Sequence, residues 1–178
     1  MQETIVYPPR TIMEVFKMLP EGTLAEVIDK TLYLSPTPIT AHQRIVRKLS
    51  TEIDSYLTDK SIGELFFAPF DVFLDSDSNA VQPDLLVVLN TNKHIIDEAG
   101  TIHGVPDLII EVLSPGNKKH DLITKKALYE KFGVKEYWVV DPAEKQAIGF
   151  GLKNNKYEEF FNGKGELKSN LLNNTFHF

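Results

Sequence analysis

Apolar positions recur along the chain with two different periods, and the places where one period replaces the other divide it into elements. Ile45, Val46, Leu49, Ile53, Tyr56 and Leu57 fall on one stripe at helical spacing, which predicts an amphipathic helix from about Ala41 to Leu57. Upstream, Thr11 followed by Glu14 has the capping-box form and predicts a short helix from Ile12 to Leu19, stopped by Pro20-Glu21-Gly22. Leu24–Ile28 and Leu32–Leu34 flank Asp29-Lys30 and read as a hairpin. Three strands are expected after the long helix: Leu65–Leu74, ended by Asp75-Ser76-Asp77-Ser78-Asn79, then Val81–Leu89, then Asp107–Leu113. Leu85–Leu89 and Leu108–Ile110 are unbroken apolar runs, as in strands buried on both faces.

Ser114-Pro115-Gly116-Asn117 breaks the third strand. A helix from about Lys119 to Phe132 follows, with Leu122, Lys125, Leu128, Tyr129 and Phe132 at helical spacing and Gly133 placed to end it. Glu136–Val140 is a further strand, and Ala147–Gly151 with Tyr157–Phe161 forms a final hairpin around Asn154-Asn155. The order helix, three strands, helix, strand describes an α/β domain built on a mixed sheet, with a right-handed crossover between Asp107 and Val140.

Composition narrows the chemistry. A chain of 178 residues suits a single domain over 1–178. It has no cysteine, so any metal must be held by oxygen or imidazole. Met1–Arg10 lacks the apolar core of a secretory signal, and no apolar run is long enough to span a bilayer, so a cytoplasmic location and no membrane partner are expected. The net charge of −6 speaks against nucleic acid as a partner. Its distribution softens this, because Lys118, Lys119, Lys125, Lys126, Lys131 and Lys135 face only Asp121 and Glu130 between Pro115 and Lys135. Such a stretch is either a solvated helix face or a surface for phosphate.

Glu111 lies inside the apolar strand Leu108-Ile109-Ile110-Glu111-Val112-Leu113. A carboxylate buried there costs several kcal/mol, roughly, unless it is paired with a cation or bound to a metal. Either a lysine or arginine partner or a metal would satisfy it. Asp84 follows Pro83 at the start of a wholly apolar run. It is therefore placed at a sheet end, where it either caps the loop or joins Glu111 on one hard cation. Lys125 shares the core-facing stripe with Leu122, Leu128 and Tyr129. It either lays its stem along the core and reaches out to water, or turns its ammonium on the carboxylates.

Pro83-Asp84, Glu111-Val112-Leu113-Ser114-Pro115, Asp121-Leu122 with Lys125 and Tyr129, Gly133-Val134 and Glu136-Tyr137-Trp138-Val139-Val140-Asp141-Pro142 occur in that order. Upstream stand Glu26-Val27-Ile28-Asp29, Leu34-Ser35-Pro36, His42 and Pro69-Phe70-Asp71-Val72. Together, from about Leu19 to Gly151, this series resembles a family of bacterial restriction-endonuclease-like proteins in the PD-(D/E)XK nuclease superfamily. The resemblance implies a restriction-endonuclease-like core, a central mixed β-sheet flanked by helices. It implies that Asp84 and Glu111 bind Mg²⁺, with Mn²⁺ as the alternative, and that the substrate is DNA. The superfamily also carries a lysine two residues after the glutamate, where this chain has Leu113; Lys125 is the expected replacement, with Lys119 and Lys126 as the other candidates. Glu26, His42 and Asp71 are auxiliary candidates. Lys118, Lys119 and Lys126 are the expected phosphate contacts. Lys125→Ala should lower cleavage strongly and leave the fold intact.

The leading expectation is thus an Mg²⁺-dependent endonuclease acting on DNA. The alternative is a non-catalytic nucleic-acid-binding or interaction module on the same scaffold, and a third is another enzyme using the same carboxylates. A homodimer is expected, as for restriction-like enzymes that cut two strands, with Phe160-Phe161 and Phe176-His177-Phe178 offering apolar surface to bury.

Overall fold

The computed structural model describes residues 8–98, 100–115 and 118–178. Most of the Met1–Arg10 segment and the Gly116-Asn117 part of the expected strand break lie outside the described residues. The chain begins with α1 (Ile12–Lys17), capped by Thr11, whose hydroxyl oxygen accepts the Glu14 N–H at 3.1 Å. The expected capping box is incomplete: the Glu14 carboxylate accepts the N–H of Arg10 rather than that of Thr11. The hairpin β1 (Ala25–Ile28) and β2 (Thr31–Leu34) turns on Asp29 and Lys30, with φ of 44° and 63°. Two successive left-handed residues match the twist of paired strands.

α2 (Thr40–Lys60) extends the expected helix at both ends and buries Leu49, Ile53 and Leu57. Where one strand is expected over 65–74 there are two, β3 (Gly63–Phe67) and β4 (Val72–Phe73). The expected strand 81–89 is likewise divided into β5 (Ala80–Val81) and β6 (Leu85–Leu89). Pro69 and Pro83 lie in these breaks, where a residue without an N–H cannot extend the ladder and the chain passes from one sheet to another. A 3₁₀ turn (Asn90–Ile95) leads to β7 (Ile102–His103) and β8 (Leu108–Val112).

A π-helical segment (His120–Lys125) then runs directly into α3 (Lys126–Phe132), which Gly133 ends at φ 87°. The chain continues through β9 (Glu136–Asp141), β10 (Gln146–Lys153) and β11 (Lys156–Lys164). A second hairpin, β12 (Glu166–Ser169) with β13 (Asn174–His177), completes it and has no counterpart among the expected elements.

Six strands form a mixed sheet in the order β11-β10-β9-β8-β6-β3, in which β8 and β9 are parallel and the other neighbours antiparallel. The period of two decides what each face packs against. Leu86, Val88, Ile109, Tyr137 and Val139 point into one core, shared with α3 and with a second sheet of order β2-β1-β5-β4-β7. Leu85, Val87, Leu108, Ile110, Trp138 and Val140 point into the other, shared with α2 and the β12–β13 hairpin. The mixed α/β architecture expected from the sequence is present, and the five-stranded sheet is an addition to it.

The late aromatics are used inside the chain. Phe160 and Phe161 each lie 5.4 Å from the Trp138 ring, and Phe176 packs edge-on to Tyr56 at 5.6 Å. The apolar surface expected for a homodimer is therefore largely consumed by intramolecular packing. Among the described residues, no helix is long and apolar enough to cross a membrane.

Candidate active site

The ends of β6 and β8 bring the two expected carboxylates together. These strands pair antiparallel with Leu85 opposite Ile110, so one further step places Asp84 opposite Glu111 on the same face of the sheet. Asp84 stands where β6 stops at Pro83, and its carboxylate takes over from the missing backbone: Oδ2 accepts the Val112 N–H at 2.7 Å. The same oxygen lies 3.0 Å from Nε2 of His42, a buried residue in the first turn of α2. Since the carboxylate only accepts, Nε2 carries the proton in this contact, and Nδ1 is buried and has no hydrogen-bond partner among the described residues.

Glu111 is 3% exposed, and its Oε1 accepts two hydrogen bonds, from Lys125 Nζ at 3.0 Å and from the Tyr129 hydroxyl at 2.7 Å. The pair follows one rule. Each carboxylate has one oxygen held by two donors. Among the described residues, Oδ1 of Asp84 and Oε2 of Glu111 accept no hydrogen bond. Both residues line one cavity of about 80 Å³, together with Glu26, His42, Gln82, Ser114, Asp121 and Lys125.

The lysine reaches the site from the π segment, whose buried residues are Asp121 and Lys125, and Tyr137 holds the Asp121 carbonyl with a 3.0 Å hydrogen bond. Lys125 is 6% exposed and its ammonium is shared: 3.0 Å to Glu111, 3.0 Å to Glu26 and 3.8 Å to Asp121. Glu26 also accepts the Gln82 N–H at 2.9 Å, two residues before Asp84. Thus β1, the chain reversal at Pro83 and the helix meet on one ammonium.

Four carboxylates around one lysine cannot all ionise without cost. Burial pushes the Glu111 carboxyl well above its ordinary value, and Asp84, Asp121 and Glu26 add to the shift while Lys125 opposes it. Burial and the same neighbours raise Asp121 to about 6, with Lys125 and His42 acting the other way. Burial alone would lower Lys125, but Glu111, Glu26, Asp121 and Asp84 overcome it and hold the ammonium well above its usual range. His120, 3.9 Å from Glu26, is lowered by burial and by the charge of Lys125.

This donor set fits a hard divalent cation. The donors are carboxylate oxygens, Asp84 and Glu111 line a shared cavity, and four acids gather around the one ammonium of Lys125. Among the described residues no three histidine, aspartate or glutamate side chains are grouped to enclose a metal by themselves. A cation held here would have Asp84 and Glu111 as its protein ligands, and Mg²⁺ can be bound by one or two carboxylates with water and phosphate in its other positions.

The auxiliary candidates separate. Glu26 and His42 lie in the cavity wall. Asp71 does not: it accepts a 2.8 Å bond from the Gln82 side chain and lines a neighbouring cleft with Phe70 and Phe73. Of the basic candidates, Lys118 is paired with Asp141 at 3.1 Å. Lys126 lies 3.8 Å over the Phe150 ring and is half-buried. Lys119 is exposed. Leu113, where the superfamily has its lysine, is buried in the core. Asp121 and Tyr129 join the site without having been expected there; the i, i+4 spacing of Asp121, Lys125 and Tyr129 is the signal in the sequence that connects them.

Comparison with known proteins bears on the family and the fold. Residues 13–176 match the family Uma2, described as "Putative restriction endonuclease". Among solved structures, the fold is similar to that of a protein from Anabaena variabilis ATCC 29413, described as "a putative nuclease belonging to DUF820". The two share 23% sequence identity over 85% of this chain and 84% of that one, with a TM-score of 0.69. This likeness shows the fold, the restriction-endonuclease-like α/β architecture expected from the sequence. None of the curated proteins matches the chain significantly.

Proposed function

The chain belongs to the Uma2 family, and from that premise we propose that it is a divalent-metal-dependent endonuclease hydrolysing DNA phosphodiester bonds. The observation that carries the proposal is the pairing of Asp84 and Glu111 at the ends of adjacent strands, both lining a common cavity and each with one oxygen held by two donors and one that accepts no hydrogen bond among the described residues. Asp84 Oδ1 and Glu111 Oε2 would hold Mg²⁺ or Mn²⁺. When bound, the cation supplies Lewis acidity toward the phosphate and toward water.

The chain's own residues do the rest. Lys125 keeps its proton, so it acts as a fixed positive donor facing the charge that develops on phosphorus, and not as a base. His42 and the Val112 N–H orient Asp84, and Glu26 holds Lys125 in place while tying down Gln82. The test is cleavage of supercoiled plasmid with Mg²⁺ or Mn²⁺. Wild type should nick or linearise it and Asp84→Ala should not; equal activity of the two proteins would remove the proposal.

A non-catalytic binding module is the second reading. It is favoured by the net charge of −6 and by Leu113 standing where the superfamily has its strand lysine. No cleavage by wild type or Asp84→Ala at any divalent-cation concentration, with both proteins folded, would select it; DNA binding by both then separates a nucleic-acid-binding module from another interaction module.

A further inference from the structure

Tyr129 is completely buried in α3, with its ring 5.0 Å from that of Tyr137 at an angle of 60°. It packs among Leu128, Val134, Tyr137 and Phe150, an environment a phenylalanine ring would fill equally well. Packing therefore does not explain its hydroxyl. A phenol oxygen in such a layer is costly unless it is hydrogen-bonded, and its partner is Glu111 Oε1 at 2.7 Å.

Two donors on one carboxylate oxygen do something that one cannot. A single bond leaves the carboxyl group free to swing about its terminal torsion, which is broad and roughly two-fold. Tyr129 and Lys125 approach Oε1 together and so fix the carboxyl plane, which commits the other oxygen, Oε2, to the cavity shared with Asp84. Lys125 is a poor anchor by itself because Glu26 and Asp121 compete for its ammonium. The hydroxyl of Tyr129 has one rotor, a rigid ring and a single acceptor.

We infer that Tyr129 is a positioning residue for a divalent cation, fixing Glu111 so that Oε2 is presented to the metal. The inference rests on the metal reading above and concerns affinity, so it can be read without turnover. Its test is titration of the full-length chain with Mn²⁺, followed by electron paramagnetic resonance, for wild type and three variants. Tyr129→Phe should weaken Mn²⁺ binding by about 10- to 100-fold, the usual effect of removing a hydrogen bond behind a metal ligand. Tyr157→Phe loses another largely buried tyrosine hydroxyl, which donates to the Val134 carbonyl at 3.0 Å, and should keep wild-type affinity. Asp84→Asn should lose binding.

Equal affinity of wild type and Tyr129→Phe, with Asp84→Asn inactive in binding, overturns the role of Tyr129 alone. Absence of saturable binding by wild type overturns the metal reading and this inference together. If Tyr129→Phe does not fold, proton NMR of the wild-type protein decides. A slowly exchanging Tyr129 hydroxyl proton that shifts when Mg²⁺ is added supports the inference, and a hydroxyl indifferent to Mg²⁺ overturns it.

Discussion

Two glutamates are buried in adjacent parallel strands, Glu111 near the end of β8 and Glu136 at the start of β9, with exposures of 3% and 2%. Burial does not distinguish them, but their partners do. Glu136 is saturated from within the fold: Oε1 accepts the Trp138 indole N–H at 2.7 Å and Oε2 accepts the Leu171 N–H at 2.8 Å. Its task is to join β9 to the loop of the C-terminal hairpin. Glu111 has both of its donors on one oxygen and three other acids bearing on its charge. A buried carboxylate is thus ambiguous until its oxygens are assigned one by one. Full satisfaction marks structure, and a half-satisfied carboxylate among like charges marks a place kept for something else.

The largest effect that can break this contrast is opposite behaviour of the same substitution at the two sites. Glu111→Gln keeps an acceptor at Oε1 but removes a metal-binding charge. Cleavage should fall by a factor on the order of 10³, the scale of losing one group that stabilises the reacting phosphate. Its urea midpoint should match or exceed wild type, because like-charge repulsion is relieved. Glu136→Gln puts an amide NH₂ against either the Trp138 or the Leu171 N–H. It should lose about 1–3 kcal/mol of stability and keep its activity per folded molecule. Plasmid cleavage and urea unfolding of the two variants measure both halves, and a stability loss at Glu111 equal to that at Glu136 would erase the distinction.

Lys125 extends the contrast to the cation. The sequence-based expectation that Lys125→Ala leaves the fold intact is corrected by its burial between Glu26, Glu111 and Asp121. Removing it leaves uncompensated buried charge, so Lys125→Met should cost about 3–5 kcal/mol at neutral pH as well as activity. Adding Glu26→Gln should return part of the stability and none of the activity. Additive losses in the double variant, by urea unfolding, would show that Glu26 and Lys125 are not coupled.

Local signals in the sequence carried much of this. The Asp29-Lys30 turn, the α2 stripe, the stop at Gly133, the acid inside the β8 run and the lysine on a core-facing stripe were all legible, because each depends on neighbours within a few positions. Glu26 bore the same mark as Glu111, an acid in an apolar strand, but its partners are 56 and 99 positions away at Gln82 and Lys125, distances at which periodicity is silent. The breaks at Pro69 and Pro83 read as continuous strands because apolar residues resume on both sides. The π segment has no pattern of its own, and the contact of Lys126 with Phe150 joins positions 24 apart. Tyr129 looked like core because its ring is core; only its hydroxyl belongs to the site.

A smaller effect appears in the pH dependence of stability. Asp121 is raised from 3.8 to about 6, first by burial and then by Glu26 and Asp84, against Lys125 and His42. The folded state therefore binds more protons than the unfolded chain between these values, and stability falls as pH rises through them. The contribution is fully present below about 3.8 and is lost by about 6. Melting temperatures of wild type and Asp121→Asn, compared from pH 4 to pH 7 without divalent cations, should diverge over this window, with wild type losing stability relative to the variant. Parallel curves would mean that Asp121 is ionised throughout.

The smallest expected effect applies the same test of saturation to the surface lysines. Lys118 already has Asp141, and Lys126 already has the Phe150 ring. For either to reach a phosphate it must first give up that contact. Among the three lysines expected to meet DNA, Lys119 is exposed and has no ion pair or ring contact among the described residues. Binding measured in the Asp84→Ala background, where cleavage cannot interfere, should therefore respond unequally. Lys119→Ala should reduce the slope of log K against log salt by roughly 0.9, the release of one phosphate's counterion. Lys126→Ala should leave the slope near wild type and instead lose about 0.5–1 kcal/mol of stability with its ring contact. An equal loss of slope at both positions would mean that intramolecular partners do not decide which cations are available, and the rule drawn from Glu111 and Glu136 would stop at the buried site.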